Sequence, residues 1–174
     1  TCALGLCYEL GKGVEENKAQ AAQLYRQAAE RGLARAQCNL GFFYYHGIAV
    51  EENNEEAAKW FEKAAAQGQA RAQELLGECY EHGYGVEQNL TRAAELYRRS
   101  ADQGYASAQY ALADCYMNGR GVAADQTRAA ELYRSAHQKG YDPATCLLGL
   151  CYEQGLGLPV DLGKAFQLYQ EAAE

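Results

Sequence analysis

Between positions 34 and 46 the apolar residues Ala36, Leu40 and Phe43 recur at three- and four-residue spacing, with Gly41 and Tyr44 alongside. A second stripe of the same kind, Ala57, Ala58, Trp60, Phe61, Ala64 and Ala65, follows a short polar stretch. Apolar residues at i, i+3 and i+4 mark one buried face of a helix. Each run is about 13 residues long, close to the average globular helix. The pattern therefore predicts a helix A, a loop and a helix B, joined to the next pair by a second turn.

The same pair is written five times. The loops read GKGVEEN, GIAVEEN, GYGVEQN, GRGVAAD and GLGLPVD, and their first glycines are Gly11, Gly47, Gly83, Gly119 and Gly155, spaced by 36 residues. Self-similarity at a period of about 20–50 residues predicts a stacked repeat array. The first glycine falls where a helix C-terminus takes a left-handed residue. Val14, Val50, Val86, Val122 and Leu158 are expected to plug the loop into the core. Asn17, Asn53, Asn89, Asp125 and Asp161 close the motif as N-caps of helix B, and Gly32, Gly68, Gly104 and Gly140 end it. Repeats are drawn at 1–32, 33–68, 69–104, 105–140 and 141–174, as one repeat domain over 1–174. The column Tyr25, Phe61, Tyr97, Tyr133 and Tyr169, with small alanines opposite, reads as packing.

The 174 residues carry a net charge of −7, which argues against a nucleic-acid footprint. No apolar run reaches the ~18 residues of a membrane span. The chain opens on Thr1 inside a helix A, so it is read as a fragment whose leader or anchor is left open. Phe166 stands where Ala22, Ala58, Ala94 and Ala130 stand in the other B helices. It leads us to expect continuation past one or both ends, or end-to-end packing. Seven cysteines cannot all pair within one chain.

The pattern A-x-A-Q-x-x-L-G-x-x-Y-x-x-G-x-G-V-x-x-N, followed by A-A-x-x-Y/W-x-x-A-A-x-x-G, resembles the Sel-1-like repeat, and residues 70–104 are a near-consensus copy. The tetratricopeptide repeat differs, with a period of about 34 and a closing proline; Pro143 and Pro159 are the only prolines here. The resemblance implies an all-α, right-handed α/α superhelical solenoid whose A helices line a concave groove, used as an adaptor or scaffold for protein partners. A cysteine-rich secreted branch staples each repeat with a disulfide between cysteines eight apart. The matching positions here are Ala29 with Gln37, Ala65 with Gln73, Ala101 with Gln109, and His137 with Thr145. The chain departs from that branch, and a reducing, cytoplasmic compartment is favoured.

Candidate chemistry is sparse. Cys7, Cys79, Cys115 and Cys151 share a core column with Phe43, where free cysteine behaves as a small hydrophobe. Cys2, Cys38 and Cys146 fall on the far face of helix A and are expected to be half-exposed. His46 and His82 come without a third ligand and read as polar caps. No catalytic set, cofactor site or metal site emerges, so an enzyme is not expected. The far face of helix A is where the repeats differ: Arg35, Cys38, Phe42 and Tyr45 in the second repeat, Arg71, Glu74 and Glu78 in the third, then Tyr110, Asp114 and Leu150. That variation predicts a groove for a peptide or partner segment. Its acidic centre at Glu74, Glu78 and Asp114 favours a basic partner, and Phe42 and Leu150 anchor the ends. Two rival readings remain open: a secreted cysteine-rich-type enzyme or enzyme inhibitor, and a structural spacer in a longer chain.

Overall fold

The computed structural model describes residues 1–173. Among them the chain forms ten α-helices and no strand. It divides into two compact units, Thr1–Gln88 and Asn89–Glu174. The first holds α1 (Cys2–Leu10), α2 (Lys18–Glu30), α3 (Ala34–His46), α4 (Asn54–Ala66) and α5 (Ala70–His82). The second holds α6 (Leu90–Asp102), α7 (Ala106–Asn118), α8 (Gln126–Gln138), α9 (Asp142–Gln154) and α10 (Leu162–Glu171). Odd helices are A, even helices are B, and within each unit every helix packs on the one before and the one after. Short connections make such neighbours antiparallel.

The A-to-B loop is built the same way each time. Helix A ends on a left-handed glycine, with φ between 62° and 75° at Gly11, Gly47, Gly83, Gly119 and Gly155. The next backbone N–H turns back to the carbonyl four residues before that glycine, as Ile48 does to Phe43 at 2.9 Å. Asn53 then does two jobs. Its backbone N–H donates to the Tyr44 carbonyl at 2.9 Å, and its side chain accepts from the Glu56 N–H at 3.0 Å, opening α4. Asn17, Asp125 and Asp161 repeat both contacts, and Asn89 caps α6 through Arg92. Each cap satisfies a backbone donor that the helix cannot, worth about 1 kcal/mol. Val50 packs on the core cluster of the first unit, whereas Val14 stays exposed.

The second loop glycine answers to a different demand. A Cβ on Gly85, Gly121 or Gly157 would lie 2.0–2.1 Å from the carbonyl oxygen of Asn54, Leu90 or Gln126. Those are the first residues of the preceding B helices, so the loop of one repeat seats directly on the backbone of the one before. Gly13 meets nothing within 4 Å. Ala49 fills this column in the second repeat and is held at φ 55°, the one positive-φ residue other than glycine among those described.

The B-to-A turn is clamped by a buried amide. Gln37 Nε2 donates to the Ala29 carbonyl at 3.2 Å, Gln73 to Ala65 at 3.3 Å and Gln109 to Ala101 at 3.4 Å. In the fourth repeat His137 Nδ1 and Thr145 Oγ1 pair at 3.0 Å instead. These are the positions where the cysteine-rich branch is expected to carry disulfides. All seven cysteines here are free.

The core is an aromatic ring from helix B laid across helix A. Tyr25, Phe61 and Tyr133 are buried, and Tyr25 meets Phe43 edge-on at 5.4 Å. The small partner is glycine rather than the expected alanine in most repeats. A Cβ on Gly5, Gly41 or Gly149 would stand 2.7–2.8 Å from the ring of Tyr25, Phe61 or Tyr169. Only Ala113, opposite Tyr133, keeps its methyl group, and it too is fully buried.

Candidate functional site

The residues assigned to a groove fall in both units, and each set is described within its own. In the first unit Arg35 is exposed, while Phe42, Tyr45, Arg71, Glu74 and Glu78 are half-buried. The Arg71 guanidinium lies 4.6 Å over the Phe42 ring, His46 stands 4.2 Å away between centroids, and Phe42 also packs against the core cluster. Tyr45 contacts His46 at 4.9 Å and Tyr84 at 5.9 Å, and Tyr84 in turn meets His82 at 5.2 Å. The exposed histidines thus stack in a chain of rings, and the caps of their helices are glycines. In the second unit Tyr110 sits between Tyr133 and Tyr141, at 5.8 and 5.4 Å, with Asp114 and Leu150 half-buried.

Cys38 does not line an accessible face. It is fully buried, with Arg71 and Glu74 of the next A helix as its charged neighbours. Cys2 is likewise buried beside Arg35, whereas Cys146 on α9 is exposed. The expected half-exposed column is corrected: at this position one A helix covers the thiol of the last. Burial pushes the Cys38 thiol up to about 11 and the Cys79 thiol up to about 12. A thiol so raised is not a nucleophile at neutral pH.

Part of the variation on this face serves the core. The hydroxyl of a B-helix tyrosine crosses beneath helix A and must find an acceptor where it emerges. Tyr25 donates to Glu9, Tyr169 to Glu153 at 2.9 Å, and Tyr133 to Asp114 at 3.4 Å. In the second repeat the ring is Phe61 and has no hydroxyl. There the column of Glu9 and Glu153 holds Tyr45, whose hydroxyl donates outward to Glu78 at 3.0 Å. Burial first, then the adjacent carboxylate, raises the phenols of Tyr25 and Tyr45; burial and the charge of Asp114 raise that of Tyr133. Asp114 also accepts from Asn118 Nδ2 at 3.0 Å and pairs with Arg120. Glu78 and Asp114 are therefore engaged within the chain, and charge reversal there would disturb these contacts.

Tyr84 stands in the GYGVEQN loop, outside the A-helix face that the sequence singles out. The structure places it 40% exposed beside Tyr45, with Glu52 and Asn54 completing a cleft of about 290 Å³. A signal was available: its column otherwise holds Lys12, Ile48, Arg120 and Leu156. Among the described residues no group of three or more His, Cys, Asp or Glu is placed to hold a metal ion, and no helix is long and apolar enough to cross a membrane.

Paired helices and a 36-residue joint define an all-α helical repeat protein. Comparison with known proteins gives the particular kind. The Sel1 repeat matches residues 1–33, 34–69, 70–105, 106–141 and 142–174, and the chain belongs to the Sel1 repeat family. It is similar to a Sel1 repeat protein from Oxalobacter formigenes, at 38% identity and a TM-score of 0.91, over 99% of this chain and 68% of that one. It is also similar to c5321, a protective antigen present in uropathogenic Escherichia coli strains and displaying the same fold. That likeness has 34% identity and a TM-score of 0.89, over 98% of this chain and 37% of that one. This chain thus spans little more than a third of the second relative. Helicobacter pylori cysteine rich protein B shares the fold, at 21% identity and a TM-score of 0.59. No curated protein matches the sequence significantly. Sel1 repeat proteins are commonly protein-interaction scaffolds.

Proposed function

We propose that this chain is a non-enzymatic interaction scaffold whose A-helix face in the first unit holds a segment of a partner protein. The observation that carries the reading is the division of labour among columns. Cap, clamp and core positions do one job in every repeat, whereas Phe42, Tyr45, Arg71 and Glu78 form a half-exposed aromatic and charged cluster that no other repeat needs. Binding energy at such a surface concentrates in a few anchors, and aromatic rings contribute large contact at low entropic cost. Phe42 is the anchor. In the second unit Tyr110, Asp114 and Leu150 offer a further, smaller contact, and the carboxylates in both units favour a basic partner.

The test is capture of a partner by the full chain, followed by binding kinetics for variants. Phe42→Ala is expected to weaken binding by about 2 kcal/mol, chiefly through faster dissociation. Glu62→Ala, on the exposed side of α4, is expected to leave it unchanged. Equal affinity of Phe42→Ala and the parent would count against the A-helix face and favour the B-helix side or a spacer.

A further inference from the structure

We propose that the cleft walled by Tyr45 and Tyr84 and closed by Glu52 and Asn54 binds the alkylammonium end of a lysine side chain from a partner. The proposal rests on the scaffold reading above and names what one of its contacts recognises. All four residues lie in the first unit, and the cleft, at about 290 Å³, has room for four methylenes and an ammonium head.

Aromatic rings attract cations through their negative faces, and most strongly where water is partly excluded. This unit already uses that contact. Arg26 lies over Tyr44 at 6.0 Å, Lys63 over Trp60 at 4.0 Å and Arg71 over Phe42 at 4.6 Å. Tyr45 and Tyr84 pair with each other at 5.9 Å and also meet His46 and His82, and among the described residues no Lys or Arg lies over either ring. The Tyr45 ring is held in place by the bond from its hydroxyl to Glu78. Glu52, the carboxylate of the cleft, forms no ion pair among the described residues. Two rings with no Lys or Arg over them and a carboxylate without an ion pair thus share one opening.

Tyr45 is tied to Phe61, at 6.3 Å between centroids, but no cap, clamp or core contact calls for the side chains of Glu52, Asn54 or Tyr84. Two repeats on, in the second unit, the same positions are Met117, Ala124, Gln126 and Leu156, which supply no ring and no charge. A compact ammonium on a flexible stem suits a cleft with one carboxylate, whereas a guanidinium seeks a planar, two-pronged partner.

The test is a nuclear magnetic resonance titration of the full chain with N-acetyl-lysine methylamide. The norleucine and arginine analogues serve as comparisons. Lysine is expected to shift signals of Tyr45, Glu52, Asn54 and Tyr84, at least fivefold more tightly than norleucine and more tightly than arginine. Glu52→Gln and Tyr84→Ala should each weaken it at least fivefold, with melting curves that match the parent. Tyr84→Phe should retain it. Norleucine or arginine binding as well as lysine, shifts mapping elsewhere, or no shift at all overturns the proposal. A silent lysine probe together with partner loss in Phe42→Ala removes this site alone. Undiminished partner binding in both Phe42→Ala and Tyr84→Ala removes the A-helix face as well.

Discussion

One hydroxyl accounts for several of the differences between repeats. Where helix B carries Tyr25, Tyr133 or Tyr169, helix A supplies a carboxylate at its exit; where it carries Phe61, the exit position becomes Tyr45. Phe61→Tyr alone is expected to destabilise, because the new hydroxyl emerges against the Tyr45 ring. Adding Tyr45→Glu rebuilds the Tyr25–Glu9 pair, and a double-mutant cycle in urea should show about 1–2 kcal/mol of favourable coupling. Additivity of the two changes would show the pair to be independent. The thiols give a second check at this scale. Exposed Cys146 should react with iodoacetamide at pH 8 long before Cys38 and Cys79, and all seven thiols should be recovered in denaturant without reductant. The burial of the Tyr25 column was legible from its period. The carboxylate's duty was not, since Glu9 and Tyr25 stand 16 residues apart and the acceptor lies on the face that variation marks for a partner. Cys38 misled for a related reason: a helical wheel shows which way a side chain leaves its own helix, not what the next A helix lays over it.

At the scale of the element, turn chemistry was the most readable part of the sequence. The 13-residue helices, their glycine ends and their Asn or Asp caps follow from local rules, and the structure places them accordingly. The seating of the second loop glycine on the previous repeat is not local, and only the coordinates reveal it. The two demands on this column can be separated by mutation. Ala49→Gly relieves a left-handed alanine and is expected to stabilise by about 1 kcal/mol. Gly85→Ala forces a Cβ towards the Asn54 carbonyl and should cost at least about 2 kcal/mol. Chemical denaturation of both variants decides the matter, and equal, small effects would mean that the loop moves freely off the preceding helix.

For the molecule as a whole, the buried phenols and thiols that shift all point towards alkali. Tyr25, Tyr45 and Tyr133 hold their protons more firmly folded than unfolded, as do Cys38 and Cys79. An acid whose folded pKa is raised contributes its full stability below the unfolded value and loses it as pH rises through the folded one. The loss should therefore begin near pH ~9 for the thiols and steepen above ~10 for the phenols. Urea midpoints measured from pH 7 to 11.5 should be flat and then fall, and Tyr133→Phe should soften the decline. A midpoint constant to pH 11.5 would contradict the burial assigned to these groups. The acidic composition gave no hint of this, because burial, not charge count, sets the shifts.

The buried glutamine clamps have a mechanical side. Between helix B of one repeat and helix A of the next, the tie is an amide donating to a carbonyl, where a relative with cysteines at those places would have a covalent bond. Hydrogen bonds of this kind part and re-form under load, and stacked repeats yield to their neighbours' loss rather than all together. Such a joint is expected to open and re-close reversibly, which a covalent staple would prevent.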